Sequence, residues 1–259
     1  MNIKFQKFQG TGNDFIIIHN KDLLFPYENN SLIEKLCDRK NGVGSDGLIL
    51  INPSTNSDFE MIYYNSDGFL GSMCGNGARC SVKFAQIHNL INNNTSFVTY
   101  DGNHDASIEN NIVSLSMKPV NNIKIFNDDL FLDTGSPHYV KVVEDIENLD
   151  VYNEGKSIRN NIRFREKGVN VNFVKIYSKD EFKVRTYERG VENETLSCGT
   201  GVTAVALAMF HSGKTGSKNI KIKTKGGELT VTFDTSNLGY TNIKLIGKVE
   251  MIFSGEIQI

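Results

Sequence analysis

Hydrophobic and polar residues alternate in many short segments along this chain, and that period-two pattern is typical of β-strands. The pattern predicts strands at residues 4–8, 15–19, 48–51, 59–64, 97–100, 106–109, 113–117, 130–132, 139–143, 172–177, 182–187, 220–224, 229–233, 241–246 and 249–253. Two stretches, 89–96 and 119–127, are predicted to be connections instead. Many short strands with few helices predict an α+β architecture.

Helical patterns follow two copies of a short cysteine-glycine sequence. The first copy, Cys-Gly-Asn-Gly at 74–77, precedes a predicted helix at 78–90, and the second, Cys-Gly-Thr-Gly at 198–201, precedes one at 202–210. The second helix is apolar nearly all round, which is typical of a helix buried in a domain core. A capping box predicts a third helix at 31–39. Both cysteines are therefore expected at helix N-termini.

The two copies belong to a longer internal repeat. The blocks that begin at Gly12, Gly42, Phe59 and Cys74 recur in the same order at Gly135, Gly168, Phe182 and Cys198, with offsets of 123, 126, 123 and 124 residues. Four blocks at nearly one offset predict two structurally similar halves with small insertions between the blocks.

Composition narrows the classes of function. The chain has 259 residues, 39% of them hydrophobic, and a formal net charge of -2, which gives no support to nucleic-acid binding. No apolar run approaches the ~20 residues of a membrane-spanning helix, and the start lacks the apolar core of a signal peptide. Four cysteines in such a chain predict a reducing, cytoplasmic location. With no Cys-x-x-Cys pair and only five histidines, no structural metal site is expected.

The segment 42–47, Gly-Val-Gly-Ser-Asp-Gly, matches the glycine fingerprint of dinucleotide-binding proteins. That fingerprint needs a strand before it and a helix after it, whereas here a predicted helix precedes it and a predicted strand follows. The glycines at 75 and 199 follow the required order of elements, but they lack the acidic residue about 20 positions further on that would hold a ribose. A nucleotide site is therefore rejected.

A cysteine at a helix start has unusual chemistry. The partial positive charge and free N–H groups there attract carboxylates or phosphates, and they lower the pKa of a thiol from about 8.5 towards neutrality. Cys74 and Cys198 could nevertheless be inert core cysteines or a disulfide or redox pair, and one of them could be an acyl-transfer nucleophile with His138 as its base.

The symmetry of the two copies favours a fourth interpretation. Two equivalent thiols can serve opposite faces of one carbon, one as a thiolate base and the other as a thiol acid, and that reaction is racemisation or epimerisation. Two helix N-termini aimed at the substrate carboxylate would stabilise the negative charge that develops there. No metal or pyridoxal phosphate is then required.

Five motifs together resemble the diaminopimelate epimerase family across essentially the whole chain. They are Gly12-Asn13-Asp14-Phe15, Asn65-x-Asp67-Gly68, Cys74-Gly75-Asn76-Gly77-Ala78-Arg79-Cys80, Tyr187-Glu188-Arg189-Gly190 and Cys198-Gly199-Thr200-Gly201. The resemblance implies two pseudo-symmetric domains, each a mostly antiparallel β-roll or barrel wrapped around a central helix, with the active site between them. The implied domains are residues 1–117 plus 248–259, and residues 118–247.

The same resemblance implies the activity, which is epimerisation of LL-2,6-diaminopimelate to the meso isomer without a cofactor. It also implies a place in the synthesis of lysine and of cell-wall precursors. The expected partners are a small amino-acid substrate and a second copy of the chain, because members of this family are commonly homodimers. No nucleic-acid or membrane partner is expected.

The resemblance also implies a role for each matching residue. Cys74 and Cys198 are the acid–base pair, Glu188 receives the reacting ammonium, and both Glu188 and His138 support the thiols. The helix-start N–H groups that hold the reacting carboxylate are those of Gly75, Asn76, Gly199 and Thr200. The side chains that hold the distal amino-acid end are Asn13, Asn65, Asn170 and Arg189. An arginine suits that end because its planar guanidinium matches a carboxylate.

Two positions depart from the family pattern. The chain has Ser136 where the family often has asparagine, and Gly47 where the family can have glutamine. Both are expected at the distal end of the substrate, so another epimerase or racemase of this fold, such as one acting on proline or hydroxyproline, is the alternative. From a different class, a non-catalytic anion-binding protein would keep the glycines but would not need both cysteines.

Overall fold

The computed structural model describes residues 2–71 and 73–258, so Met1 and Ile259, the outermost residues of the expected domains, lie outside the described residues. The described strands of the first half are β1 (Asn2–Gly10), β2 (Asn13–His19), β3 (Gly47–Asn52), β4 (Phe59–Asn65), β5 (Asn94–Thr99), β6 (Gly102–Glu109) and β7 (Ile112–Ser116). The later strands are β8 (Ile123–Phe126), β9 (Asp129–Asp133), β10 (Pro137–Val142), β11 (Asn170–Ile176), β12 (Glu181–Glu188), β13 (Asn193–Thr195), β14 (Asn219–Thr224), β15 (Gly227–Ser236), β16 (Gly239–Lys248) and β17 (Glu250–Gln258). The helices are α1 (Asn30–Cys37), α2 (Gly75–Ile87), α3 (Val151–Arg159) and α4 (Gly199–His211).

The chain divides into two compact units, unit 1 (Met1–Leu115 with Gly247–Ile259) and unit 2 (Ser116–Ile246). In unit 1, β1 pairs antiparallel with both β17 and β2, and β2 pairs parallel with β3. Strand β3 then pairs antiparallel with β4, β4 parallel with β5, and β6 antiparallel with both β5 and β7. Helix α2 packs against six of these strands, β1, β2, β3, β4, β6 and β17, so it is the central element of unit 1.

Unit 2 repeats this order of pairings. Strand β9 pairs antiparallel with β8 and β10, β10 parallel with β11, and β11 antiparallel with β12. Strand β12 pairs parallel with β14, which pairs antiparallel with β15, and the short β13 adds to the edge of β12. Helix α4 packs against β9, β10, β11, β12, β14 and β15, as α2 does in unit 1.

The strand registers repeat as well as the pairings. Phe15 of β2 lies opposite Gly47 of β3, and His138 of β10 lies opposite Asn170 of β11, so both equivalent pairs differ by 123 residues. The α+β class and the two halves of mostly antiparallel strands around a central helix are confirmed.

The two central helices bury different kinds of side chain. In α4 the apolar residues Val205 and Leu207 are fully buried, together with Val202 at 1% exposure, as the all-round apolar pattern predicted. In α2 the buried set also includes polar residues, among them Arg79, which is 0% exposed. A buried arginine needs a specific reason, because charged side chains are almost never fully buried unless they are paired.

Several predicted boundaries were wrong. Helix α2 begins at Gly75 and ends at Ile87, not at 78 and 90, because Cys74 itself is the residue that precedes the first helical turn. Strands β6 and β17 are longer than predicted. The predicted connection at 119–127 contains β8, a strand of four residues, none of which is buried. The predicted connection at 89–96 likewise overlaps the start of β5.

Helix α3 and the short strand β13 were not predicted. The helical residues Val151 and Gly155 are the buried positions of α3, and a glycine within a helix is unfavourable on its own. The structure supplies the reason, since a Cβ on Gly155 would lie 2.3 Å from Cβ of Tyr187. The close approach of α3 to β12 therefore requires glycine. None of the described helices is long and apolar enough to cross a membrane.

Candidate active site

In unit 1, Cys74 is the residue immediately before α2. Its backbone is extended, with φ −105° and ψ 113°, and its Sγ accepts a hydrogen bond from the N–H of Gly77 at 3.5 Å. Within the described residues, the N–H groups of Gly75 and Asn76 have no hydrogen-bond partner, as expected for the first turn of a helix. The half-buried thiol therefore lies beside two N–H groups that can bind an anion.

A chain of side-chain amides leads away from this helix start. Asn76 Nδ2 donates to Asn13 Oδ1 at 2.7 Å, and Asn13 Nδ2 donates to Asp46 Oδ2 at 2.9 Å. On its other side, Asn76 Oδ1 accepts from Nη2 of Arg79 at 2.9 Å. We call Cys74, Asn76, Asn13, Asp46 and Arg79 the Cys74 half-site. Asp46 and Arg79 had no role in the sequence interpretation, although both lie inside or beside its motifs.

Charged side chains continue this chain towards the surface of unit 1. Arg39 donates to both carboxylate oxygens of Asp14, at 2.9 and 2.7 Å, and to Asp46 Oδ1 at 2.8 Å. Lys7 Nζ lies 2.9 Å from Asp14 Oδ2 and also donates to the carbonyl of Gly44. Burial raises the pKa of Asp14, but the hydrogen bonds from Arg39 and Lys7 outweigh it and lower the pKa to about 2.

Asn65 lies at the end of β4, with its side chain exposed. Its backbone N–H donates to the carbonyl of Phe69 at 2.9 Å, and its own carbonyl accepts from Gly68 at 3.0 Å, so it closes a turn. Asn65 is the register partner of Gly47 on β3. The structure thus places Asn65 beside Gly47, the second position at which the chain departs from the family pattern.

Gly47 has no room for a side chain. A Cβ there would lie 2.5 Å from Cε2 of Tyr63 and 2.5 Å from the carbonyl oxygen of Tyr64. The Tyr63 ring also packs edge-on against Phe15, with the two ring centroids 6.0 Å apart. The departure at Gly47 therefore has a steric reason, because the Tyr63 ring occupies the space that a longer side chain would need.

In unit 2, Cys198 occupies the equivalent position before α4, and it is 8% exposed. Its Sγ lies 3.4 Å from Oγ1 of Thr200. Unlike Cys74 Sγ, it does not cap a backbone N–H of its helix within the described residues. The N–H groups of Gly199 and Thr200 have no hydrogen-bond partner within the described residues.

His138 reaches Cys198 through Thr200. The ring Nε2 of His138 lies 3.0 Å from Thr200 Oγ1 and 3.1 Å from Ser136 Oγ, while Nδ1 accepts from Nδ2 of Asn172 at 3.1 Å. Asn172 Nδ2 also lies 3.1 Å from the carbonyl oxygen of Tyr139, which can only accept a hydrogen bond. This atom is therefore the NH₂ group of Asn172, and it donates to Nδ1 of His138 as well. The proton of neutral His138 is therefore on Nε2, from which it can be donated to Thr200.

Burial keeps His138 neutral. The ring is completely buried, and this burial, helped by the positive charge of Arg189, lowers its pKa to about 3. A neutral imidazole that donates to the Thr200 hydroxyl lets that hydroxyl donate in turn to a Cys198 thiolate. We call Cys198, Thr200, His138, Ser136 and Asn172 the Cys198 half-site. Asn172 was missed, although an asparagine two positions after Asn170 in a hydrophobic strand was a visible signal.

The remaining polar candidates of unit 2 lie around the end of β12. Glu188 Oε2 accepts from Thr195 Oγ1 at 2.8 Å, and the N–H of Arg189 donates to Asn170 Oδ1 at 2.9 Å. Asn170 Nδ2 donates in turn to Ser136 Oγ at 2.9 Å. Ser136, the first departure from the family pattern, thus connects Asn170 with His138.

The exposed Arg189 is packed against a glycine with a left-handed backbone. Its Nη1 donates to the carbonyl of Lys167 at 2.9 Å. Gly168 has φ +72°, and a Cβ there would lie 2.6 Å from Cδ of Arg189, so only glycine allows this approach. No group of three or more His, Cys, Asp or Glu side chains that could hold a metal ion occurs within residues 2–71 and 73–258.

Comparison with known proteins gives one consistent family. A family model described as diaminopimelate epimerase matches residues 5–121 and 130–252. The chain is 52% identical to a diaminopimelate epimerase of Flavobacterium psychrophilum over 98% of this chain and 100% of that protein. It is 40% identical to one of Chlorobaculum tepidum over 96% and 99% of the two chains.

Solved structures with little sequence identity share the fold. A phenazine biosynthesis protein of the PhzF family from Bacillus anthracis superposes with a TM-score of 0.77 at 14% identity, covering 100% of both chains. A probable proline racemase from Agrobacterium radiobacter superposes with a TM-score of 0.70 at 15% identity, covering 99% of this chain and 92% of that one. At this level of identity the similarity concerns the fold alone.

Proposed function

The chain belongs to the diaminopimelate epimerase family, and on that premise we propose that it converts LL-2,6-diaminopimelate to the meso isomer without a cofactor. The observation that carries the proposal is that each unit has a cysteine immediately before its central buried helix. The first N–H groups of that helix have no hydrogen-bond partner among the residues that the structure describes. One thiolate removes the α-proton, and the other thiol supplies a proton to the opposite face of the carbon.

The helix starts supply what a thiolate alone lacks. An amino-acid α-proton is a far weaker acid than a thiol, and each pKa unit of mismatch costs about 1.4 kcal/mol. As the proton leaves, negative charge moves into the substrate carboxylate. The N–H groups of Gly75, Asn76, Gly199 and Thr200 hold that carboxylate and stabilise the charge where it grows.

The other candidates have separate roles in this proposal. Glu188 receives the reacting ammonium. His138 donates from Nε2 to Thr200, whose hydroxyl stabilises Cys198 as a thiolate, so His138 acts as a neutral donor. The side chains that hold the distal amino-acid end are Asn13, Asn65, Asn170 and Arg189.

We propose that unit 1 and unit 2 are the two epimerase halves expected at residues 1–117 plus 248–259 and at 118–247. A cytoplasmic place in lysine and cell-wall precursor synthesis follows from the family. A homodimer is supported by β17, on which Met251, Ile252 and Phe253 are 40%, 51% and 45% exposed. Sedimentation of Ile252→Lys beside the unchanged chain tests it, because a charge in an apolar interface should give monomers.

The alternative is another amino-acid racemase of the same fold. The observation in its favour is the pair of departures, since Ser136 and Gly47 alter the expected distal contacts. A substrate panel followed by chiral separation decides between them: LL-diaminopimelate, proline, hydroxyproline, lysine and glutamate. Inversion of LL-diaminopimelate alone supports the proposal. Inversion of proline or hydroxyproline in its place would establish the alternative, and no inversion at all would favour an anion-binding protein.

Deuterated water tests the mechanism. The proton taken by one thiolate stays on one face of the carbon, so the product must take its proton from the opposite thiol, which exchanges with solvent between turnovers. At early times the meso product should contain deuterium at the inverted carbon, while recovered LL substrate stays largely protonated. Product that keeps the original hydrogen would contradict a two-thiol mechanism.

A further inference from the structure

Arg79 is a buried cation whose hydrogen-bond acceptors in the described part of the chain are both neutral. Its side chain is 0% exposed, and its Nη2 donates to Thr11 Oγ1 at 2.7 Å and to Asn76 Oδ1 at 2.9 Å. Its Nε and Nη1 atoms have no hydrogen-bond partner among residues 2–71 and 73–258. Both acceptors of Nη2 are neutral, and burial of a charge that neutral groups alone satisfy is strongly unfavourable. An anion that compensates this charge is therefore expected nearby.

Two thiols are close enough to be that anion. Burial lowers the pKa of Arg79 to about 10, and negative charge on Cys80 or Cys74 acts against this effect. Burial raises the pKa of Cys80 far above its usual range, so Cys80 stays a neutral thiol at neutral pH. Cys74 is only half-buried and lies at the start of the same helix. The thiolate of Cys74 is therefore the anion that can compensate Arg79.

Arg79 also orients two amides. Because Asn76 Oδ1 accepts from Arg79, its Nδ2 must face Asn13 Oδ1, and this leaves Asn13 Nδ2 for Asp46. Asn76 and Asn13 are both proposed substrate contacts. The equivalent position in unit 2 is Thr203, which is uncharged and donates to the carbonyl of Gly199 at 3.0 Å. The buried cation is thus a feature of the Cys74 half-site alone.

We propose that Arg79 is a positioning residue: its buried charge favours the thiolate of Cys74, and its Nη2 group sets the side-chain amides of Asn76 and Asn13. The inference rests on the proposed function, in which Cys74 is one of the two acid–base groups. It makes Cys74 the thiol that is ionised in the resting enzyme, before substrate binds.

Alkylation of Cys74 as a function of pH tests this proposal. The substrate-free full chain is treated with iodoacetamide from pH 5 to 10, and the rate at Cys74 is followed by peptide mass spectrometry. In the unchanged chain the midpoint should lie below the value of about 8.5 of a free thiol. In Arg79→Met it should rise by about one pH unit or more, because an opposite charge nearby is lost.

Two further variants separate charge from shape. Arg79→Lys keeps the charge but loses the planar fork, so the midpoint should stay near that of the unchanged chain while KM rises. Ser81→Ala is the matched control within α2, because it removes a buried hydrogen bond to the carbonyl of Gly77 without removing a charge. Its midpoint should match that of the unchanged chain.

Three results would overturn the proposal. The first is a folded Arg79→Met variant whose alkylation midpoint is unchanged, and the second is an Arg79→Lys midpoint that shifts as far as that of Arg79→Met. The third is a Cys74 midpoint at or above about 8.5 in the unchanged chain, which excludes a favoured thiolate and can be measured even if Arg79→Met does not fold. Labelling does not depend on turnover. If Cys74 is alkylated with the expected pH midpoints but the chain does not invert LL-diaminopimelate, the proposed function is refuted. The effect of Arg79 on the ionisation of Cys74 is then still supported.

Discussion

The Cys74 and Cys198 half-sites share a backbone plan but differ in charge. Both thiols precede a central helix whose first N–H groups have no hydrogen-bond partner in the described part of the chain. At the Cys74 helix start, Asn76 accepts a hydrogen bond from Arg79 and is linked through Asn13 to Asp46, which is paired with Arg39. Beside Cys198 lies the hydroxyl of Thr200, which is bonded in turn to a neutral His138.

The side chains around the two thiols also differ because equivalent strand positions have different residues. Phe15 of unit 1 corresponds to His138 of unit 2, and Gly47 corresponds to Asn170. An imidazole thus replaces a phenyl ring, and an amide replaces a glycine, on the same register of the same pair of strands. Repetition of the strand pairings keeps the two helix starts alike, while the buried charge of Arg79 in α2 has no counterpart at the equivalent position of α4. We infer that the two thiols have different resting protonation states.

The largest effect is expected from loss of either thiol. Cys74→Ala and Cys198→Ala should each lower epimerisation by at least ~10³-fold in both directions, because each direction needs one base and one acid. Each variant should still exchange the α-proton of one isomer with deuterated water, and the two variants should act on opposite isomers. Mass spectrometry of recovered substrate measures this exchange. Cys37→Ala is the control, and near-normal epimerisation by Cys198→Ala would contradict the mechanism.

Arg189→Lys should raise KM for diaminopimelate by about 10- to 100-fold, because it loses a charge-assisted, bidentate contact worth roughly 1.5–3 kcal/mol. Both thiols should remain reactive to alkylation. The equivalent position in unit 1 is Ser66, so Ser66→Ala is the matched control and should leave KM nearly unchanged. Steady-state kinetics measures both variants. An unchanged KM in Arg189→Lys would remove Arg189 from the substrate site.

His138 should make the protein sensitive to mild acid. Its pKa is about 3 in the folded protein against 6.5 unfolded, so the unfolded chain binds the proton more readily between these values. Its contribution to stability is therefore present above about pH 6.5 and is lost as the pH falls towards 3. Between pH 7 and pH 5 the unchanged chain should lose about 2 kcal/mol more than His138→Gln. Urea unfolding at both pH values measures the difference, and equal losses would mean that His138 is not held neutral.

The smallest effect is expected at Arg39, the exposed side chain that pairs with Asp46 of the Cys74 half-site. Arg39 is 58% exposed, so Arg39→Gln should lower the free energy of unfolding at pH 7 by less than about 1 kcal/mol. Because the pKa of Asp14 is depressed to about 2, this contribution is present above about pH 4 and is lost as the pH falls towards 2.

Urea unfolding at low salt and in about 1 M salt measures the Arg39 effect, which salt should reduce. Lys40→Gln, which removes a neighbouring exposed charge, is the control. If Arg39→Gln lowers the free energy of unfolding by more than about 2 kcal/mol, then Arg39, Asp14 and Asp46 act as one cooperative network.

The sequence predicted the features that depend on short stretches of chain. Period-two segments identified most strands, and each Cys-Gly-x-Gly stretch followed by a helical pattern identified a helix start. The recurrence of four blocks predicted the repeated pairings that the two units show. It could not identify α3, because Gly155 weakens the helical signal and is required only by contact with Tyr187. Strand β8 was missed because it has only four residues and none of them is buried.

By itself, then, the sequence determined the family, the fold class and the two thiols at helix starts, since these follow from local pattern and motif. Only the tertiary structure decided that Asn172 leaves the proton of His138 on Nε2, that the Tyr63 ring excludes a side chain at position 47, and that Arg79 is fully buried. The reason is that burial and hydrogen-bond partners depend on residues far apart in the chain. Asn172 lies 34 residues from His138, and Thr11 lies 68 residues from Arg79. The motif that contains Cys74 supplies Arg79, but these distant contacts decide that its charge is buried and which groups satisfy it.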